Sequence, residues 1–161
     1  MIEALHKNAQ LIDSFYAAFA RRDGAAMAAC YAPDATVTDP VFDLRGPAIG
    51  AMWTMLCERG TDLRVEARDI IADEHAGRAH WEARYTFTTT GRPVHNEIDA
   101  VFAFAGGRIA VHRDTFDFWR WSRMALGLKG ALLGATPLVR KAVRRQARKS
   151  LDGWMARERS R

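Results

Sequence analysis

Residues 21–53, RRDGAAMAACYAPDATVTDPVFDLRGPAIGAMW, carry a helix end, a short helix, a strand and the start of another helix in one run. Asp23-Gly24 stops the helix before it, and GAAMAACYA, rich in good helix formers, supplies a short second one. ATVTD has the β-branched texture of a strand, and Pro40 cannot donate a further ladder bond. Gly46-Pro47 then opens a third helix, AIGAMWTMLCERG, with Gly60 as its C-cap. Within this run one carboxylate, Asp39, sits between apolar residues and a proline, where a soluble domain has no obvious need of an acid.

Upstream, LIDSFYAAFARRD returns Leu11, Ile12, Phe15, Tyr16 and Phe19 to one helical face. Downstream the texture changes to strands. DLRVEARDIIAD, GRAHWEARYTFTTT, HNEIDAVFAFA and GRIAVHRDTFDFW alternate or are β-rich, and the turn formers EHAG, TGRP and AGGR join them. Three amino-terminal helices followed by long strands predict an α+β domain, a curved, mostly antiparallel sheet wrapped around the helices as a cone. The interior of such a cone is its natural pocket.

At 161 residues, 48% apolar and 27% charged, the chain fits one globular domain. It has no apolar run long enough to span a membrane. MIEALHKNAQ lacks a basic region followed by an apolar one, so no leader is read and a cytoplasmic location is expected. Cys30 and Cys57 lack CxxC spacing and are expected as buried free thiols. The net charge of +5 hides a division. Residues 1–118 hold 12 Lys and Arg against 17 Asp and Glu, whereas residues 119–161 hold 12 against 2. The expected division is a cone domain over 1–118 and a basic helical extension over 119–161.

RRDGAAMAACYAPDATVTDPVFDLRGPAIGAMW, with the later AVFAFAGGRIAVHRDTFD, resembles the nuclear transport factor 2-like superfamily, and within it the SnoaL-like polyketide cyclase and ketosteroid isomerase group. The resemblance covers about residues 8–118. It implies that Asp39 is a general base for proton transfer at carbon, a mechanism for which ketosteroid isomerase is the standard worked example. The isomerase's two oxyanion donors fall on Phe15 and Ala100, so a steroid isomerase of the usual kind is not expected. Strand alternation and the same resemblance turn His112, Asp114 and Phe116 inward, and SnoaL-like cyclases use an acid on the late strands. Asp39 and Asp114 are therefore the candidate acid/base pair, with His112 assisting.

Trp53, Trp81, Tyr85, Phe87, Phe102 and Phe104 are the expected cavity lining by alternation and helix facing, and they suit a flat, apolar, oxygenated ligand. Tyr16, Tyr31 and Tyr85 are the phenols that could replace the missing donors. Glu82, Arg84, Glu97 and Asp99 should face outward, onto the sheet surface that commonly forms a homodimer contact in this superfamily. No two of His75, His80 and His95 share close ligand spacing with an acid, so no metal is expected. AGGR reads as a hairpin turn rather than a phosphate loop, and no cofactor is implied.

The expected activity is isomerisation, cyclisation or hydration, epoxide hydrolysis included. The rival reading is a non-catalytic ligand-binding or dimerisation module of the same shape. A catalyst requires Asp39, His112 and Asp114 to converge on one water-filled cavity; a cone plugged by side chains speaks for the module. In the tail, Leu138, Val139, Ala142, Val143, Ala147 and Leu151 form the expected apolar stripe of a helix, and Arg140, Lys141, Arg144, Arg145, Arg148 and Lys149 fill the rest of its surface. Such a tail can pack on the acidic body, lie on an anionic membrane with Trp119, Trp121 and Trp154 at the interface, or, least favoured, bind nucleic acid.

Overall fold

The computed structural model describes residues 5–161. Met1–Ala4, part of the segment read as lacking a leader, lie outside the described residues. Helix α1, Lys7–Ala20, buries Ile12, Phe15, Tyr16 and Phe19 on the face that the spacing predicts. Arg22 takes a positive φ of 58°, and the Asp23 carboxylate then caps α2, Gly24–Ala29, by accepting from the Ala26 amide. Gly24 is required by proximity, because a Cβ there would lie 2.6 Å from Thr54 of the third helix. Strand β1, Tyr31–Thr38, follows, then a short β2, Asp43–Arg45, and α3, Pro47–Arg59, whose C-cap is Gly60.

Four longer strands complete the sheet: β3, Arg64–Ala72; β4, Ala76–Phe87; β5, Arg92–Ala105; and β6, Arg108–Thr115. The strand order is β2-β1-β6-β5-β4-β3. β1 and β6 run parallel, with Val37 opposite His112, and every other neighbour is antiparallel. Register shifts between Arg68 and Ile71, where Asp69 has φ 56°, and between Ala103 and Phe104 bend the sheet around α1 and α3. The chain is an α+β cone with an open sheet. Its core joins α1, α2 and α3 to the inner face of the sheet, and Cys30 and Cys57 lie in it as free thiols.

The carboxy-terminal run forms α4, Phe118–Leu126; α5, Leu128–Leu133; and α6, Pro137–Arg159. Two sequence expectations are corrected here. DTFDFW does not prolong the last strand, because Asp117 accepts from the Arg120 amide and starts α4 instead. In α6 the packed stripe is Val139, Val143, Ala147, Leu151, Trp154 and Met155, while Leu138 and Ala142 face solvent. The reason is that α6 docks by its second half on α3, where Trp154 donates to Glu58 and Arg59 donates to Ser150.

Helix α4 lies across the mouth of the cone. Phe118, Trp121 and Ala125 pack with Val94 of β5, and Val41, Tyr85, Phe87 and Phe116 abut this second cluster. Arg92 and Thr90 of the β4–β5 hairpin donate to the carbonyls of Met124 and Ala125, which pins the far end of α4.

Candidate active site

β6 turns His112 and Asp114 inward, where both are almost fully buried, and leaves Arg113 and Thr115 exposed. A connected polar chain crosses this otherwise apolar interior. Trp53 Nε1 donates to the Tyr31 hydroxyl at 3.0 Å, and that hydroxyl lies 2.7 Å from His112 Nδ1. His112 Nε2 lies 2.9 Å from Asp114 Oδ1, and Trp81 Nε1 donates to the same oxygen at 3.3 Å.

The Tyr31 oxygen accepts from Trp53 and pairs with Nδ1 of His112, whose Nε2 faces the Asp114 carboxylate; which partner donates at each end of the imidazole is set by its tautomer. Burial, followed by the Asp114 charge, pushes the Tyr31 hydroxyl well above the usual phenol range, which keeps it protonated.

Tyr16 stands beside this chain. Its ring packs on Phe15 and Trp81, and burial followed by the charge of Asp114 raises its hydroxyl well above the usual range. That hydroxyl is buried without a hydrogen-bond partner among the described residues. An unpaired buried hydroxyl costs about 1–3 kcal/mol, so it marks a position where a ligand oxygen or water would be favourable.

Asp39 does not join the chain through a hydrogen bond among the described residues. Its Oδ1 accepts from the amides of Val41 and Phe42, both at 2.6 Å, while its own amide donates to the Phe42 carbonyl. The half-buried side chain thus closes the turn into β2, the ordinary work of an aspartate before proline. Burial nevertheless pushes its carboxyl up to about 6, against the lowering effect of those two amides, with a further rise from Asp114. Tyr85 also senses the charge of Asp39, after the larger effect of its own burial, and its hydroxyl accepts from Trp121 at 2.8 Å.

The remaining expected lining splits into two groups. Phe15, Trp53, Trp81, Ala100 and Phe102 are buried around His112 and Asp114, with Ala100 directly opposite Asp114 across the β5–β6 ladder. Phe104 stacks on Phe102, whereas Tyr85, Phe87 and Phe116 belong to the mouth under α4. The interior around the polar chain is filled. Phe15 meets Tyr31, Trp53 and His112 edge to face, and Phe102 lies 4.5 Å from the His112 ring. A surface depression of about 240 Å³ is lined in part by Tyr31 and one of about 420 Å³ in part by Phe102, and neither is lined by Asp39, His112 or Asp114.

On the outer face, strand pairing creates a cluster that linear spacing hides. Glu82 is opposite Glu97 and His80 is opposite Asp99, so ligand atoms of His80, Glu82 and Glu97 come within 4.8 Å of one another. His80 is the one histidine in this cluster among the described residues. Arg68 at 2.7 Å and His95 at 2.6 Å already hold Glu82, and Arg120 at 3.1 Å holds Glu97. These contacts describe a network of ion pairs.

A bent, mostly antiparallel open sheet wrapped around helices is the architecture of the nuclear transport factor 2-like class. The model of the SnoaL-like domain matches residues 12–112, and the chain belongs to that family. Among solved structures it is similar to a protein of unknown function of this class from Burkholderia pseudomallei, at 22% identity over 74% of this chain and 98% of that one, TM-score 0.65. A polyketide cyclase, so described provisionally, from Xanthomonas campestris pv. campestris is 22% identical over 73% and 96%, TM-score 0.59. An LEH-like epoxide hydrolase from M. tuberculosis is 22% identical over 83% and 95%, TM-score 0.59. Among proteins with curated descriptions none matches this chain. At these identities the structural likeness carries the fold alone.

Proposed function

We propose that this protein is a cofactor-independent acid/base enzyme acting on a small, mostly apolar, oxygenated molecule inside the cone. The observation that carries the reading is the His112–Asp114 pair, buried at 2.9 Å in an aromatic interior and held at its other end by Tyr31. Burying such groups costs stability that apolar side chains would not, so a domain without a use for them gains by losing them. The bonds described engage only Oδ1 of Asp114, and Oδ2 is the atom that would take a proton from carbon or from an attacking water. The orphaned Tyr16 hydroxyl would donate to the developing oxyanion. His112 and Tyr31 are positioning residues for Asp114. Asp39, with a carboxyl near 6, would act as a second acid/base group at the mouth.

Isomerisation, cyclisation and epoxide hydration all fit this set. The cyclase and epoxide hydrolase among the similar structures are the reason for naming those classes. A homodimer through the outer sheet face belongs to the same reading. Ile71, Val101 and Val111 are exposed on that face, interleaved with Arg78 and Arg113.

The filled interior favours the second reading, a ligand-binding or dimerisation module without chemistry. Under the enzyme reading the ligand enters by displacing aromatic side chains or α4. A thermal-shift screen with enones, epoxides and polycyclic phenols, followed by turnover assays of the hits, separates the two. Hits that bind wild-type protein yet are never turned over leave the binding module.

A further inference from the structure

Helix α5 is amphipathic in the inverted sense. Its packed side is made of glycine: a Cβ on Gly130 would strike the Ser122 carbonyl of α4, and one on the C-cap Gly134 would lie 2.6 Å from Ser122 Cβ. The backbone of α5 therefore lies directly on α4, and its leucines point away. Leu128 is 75% exposed, Leu132 71% and Leu133 53%, and Leu138 in the first turn of α6 is 78% exposed. Trp119, 41% exposed, is fixed beside them by donating to the Ala131 carbonyl, with the Arg123 guanidinium 4.2 Å above its ring.

The surroundings of this ridge are one-signed. From Phe118 to Leu151 the chain carries nine Lys or Arg and no carboxylate. On α6, Leu138 continues into Lys141, Arg145 and Lys149 at three- and four-residue spacing along the solvent face, all exposed. Lys129, Lys141, Arg144, Arg145 and Lys149 make no ion pair among the described residues.

We propose that α5 and the first half of α6 form a docking surface for an anionic phospholipid bilayer, with Leu128, Leu132, Leu133 and Leu138 entering the acyl boundary and the basic line resting on the headgroups. The chemistry selects this occupant. A convex ridge of aliphatic tips suits a deformable apolar phase, and Trp119 and the flanking cations suit its interface. A second copy is disfavoured, because a two-fold contact would set two basic patches against each other. A nucleic acid would use the cations but leave four leucines in water. The structure also changes which residues serve: Trp121 is buried against Tyr85 and Trp154 is bonded to Glu58, so of the three tryptophans read as interfacial only Trp119 stays available.

The test is co-sedimentation of the full chain with vesicles of phosphatidylcholine alone or with 30% phosphatidylserine. Wild type is expected to pellet only with the anionic vesicles and to be released by 0.5 M salt. The exposed double variant Leu128→Ser/Leu132→Ser should keep its melting temperature and bind at least about tenfold more weakly. Lys141→Gln/Arg145→Gln should bind about tenfold or more weakly at low salt. Absence of binding to anionic vesicles at low salt overturns the proposal. So does undiminished binding by the leucine variant, since charge alone would then suffice. A wild-type dimer that the leucine variant dissociates, or duplex DNA binding in place of vesicle binding, assigns the surface to another partner and overturns it equally.

Discussion

His112 Nε2 lies 2.9 Å from Oδ1 of Asp114, two residues further along the same strand, with Trp81 donating to that same oxygen from β4. Asn at position 114 can present one carbonyl oxygen to both donors, so Asp114→Asn removes the charge and the proton-accepting power while keeping the bonds. The expected outcome is a change in stability within about 1 kcal/mol by urea unfolding. Turnover of any substrate found by screening should fall at least about 100-fold, the ordinary contribution of a general base. Unchanged turnover in a folded Asp114→Asn protein removes Asp114 from its proposed role.

Tyr31 and Tyr16 carry the same group in opposite circumstances, which makes their phenylalanine variants a matched pair. Tyr31→Phe strips Trp53 of its acceptor and His112 Nδ1 of its partner, leaving two buried polar groups unpaired. A loss of about 1–3 kcal/mol is expected. Tyr16→Phe deletes a hydroxyl that has no partner among the described residues, so stability should hold or rise. Chemical denaturation of the two variants side by side is the check, and equal losses would show that the Tyr16 hydroxyl is satisfied in solution.

The contrast between these residues explains how much of the site could be read from sequence. Two-residue alternation along β6 puts Asp114 and His112 on one face, and the family resemblance chooses the inward one, whereas Phe15 and Phe19 follow from helical spacing in α1. The bond between Trp53 and Tyr31 joins residues 22 apart, on a helix and a strand, and only the docking of α3 on β1 creates it. Asp39 is ambiguous in sequence for a local reason: the sequence surrounding a mouth carboxylate and a turn-capping one is the same, and the two amides that hold it belong to its own turn. Strand β2 is three residues between Pro40 and Gly46, too short for any periodicity. The outward leucines of α5 reverse the usual rule, because the glycines between them take the packed side.

Asp39 gives stability a pH dependence whose sign follows from its burial. Its carboxyl rises from 3.8 to about 6 on folding, so the folded state holds the proton more tightly than the unfolded one. The associated stability is fully present below about pH 4 and is lost as pH rises through about 6. At about 1.4 kcal/mol per pKa unit, discounted for a side chain only half-buried, the loss is on the order of 1–2 kcal/mol. Asp39→Asn keeps an acceptor for the Val41 and Phe42 amides and does not ionise. It should therefore be more stable than wild type at pH 8 and equal to it near pH 4, and a gap that stays constant across that range excludes this titration.

Val101 is half-exposed on the outer sheet face, opposite Arg113 on β6 and Arg78 on β4. A charge there should be harmless to a monomer, whose edge of water it already meets, and costly to a face-to-face dimer. Light scattering of wild type at micromolar concentration is expected to give the dimer mass, and Val101→Asp the monomer mass. A wild-type monomer ends the dimer reading.

Gly130 and Gly153 test the inverted packing of α5 directly. Both lie in helices, where alanine is ordinarily better than glycine by about 1 kcal/mol. At Gly153 a Cβ meets only the end of the Arg157 side chain, 3.6 Å away, so Gly153→Ala should stabilise the protein by up to about that amount. At Gly130 the same methyl group collides with the Ser122 carbonyl, part of the α4 backbone, which cannot rotate aside. Gly130→Ala should instead destabilise by about 1–3 kcal/mol, the usual cost of overpacking. Because α4 closes the mouth over Tyr85 and Phe87, lifting α5 from it should also raise binding of a hydrophobic dye. If both substitutions stabilise to the same extent, α5 does not rest on α4, and its leucines have another reason to face outward.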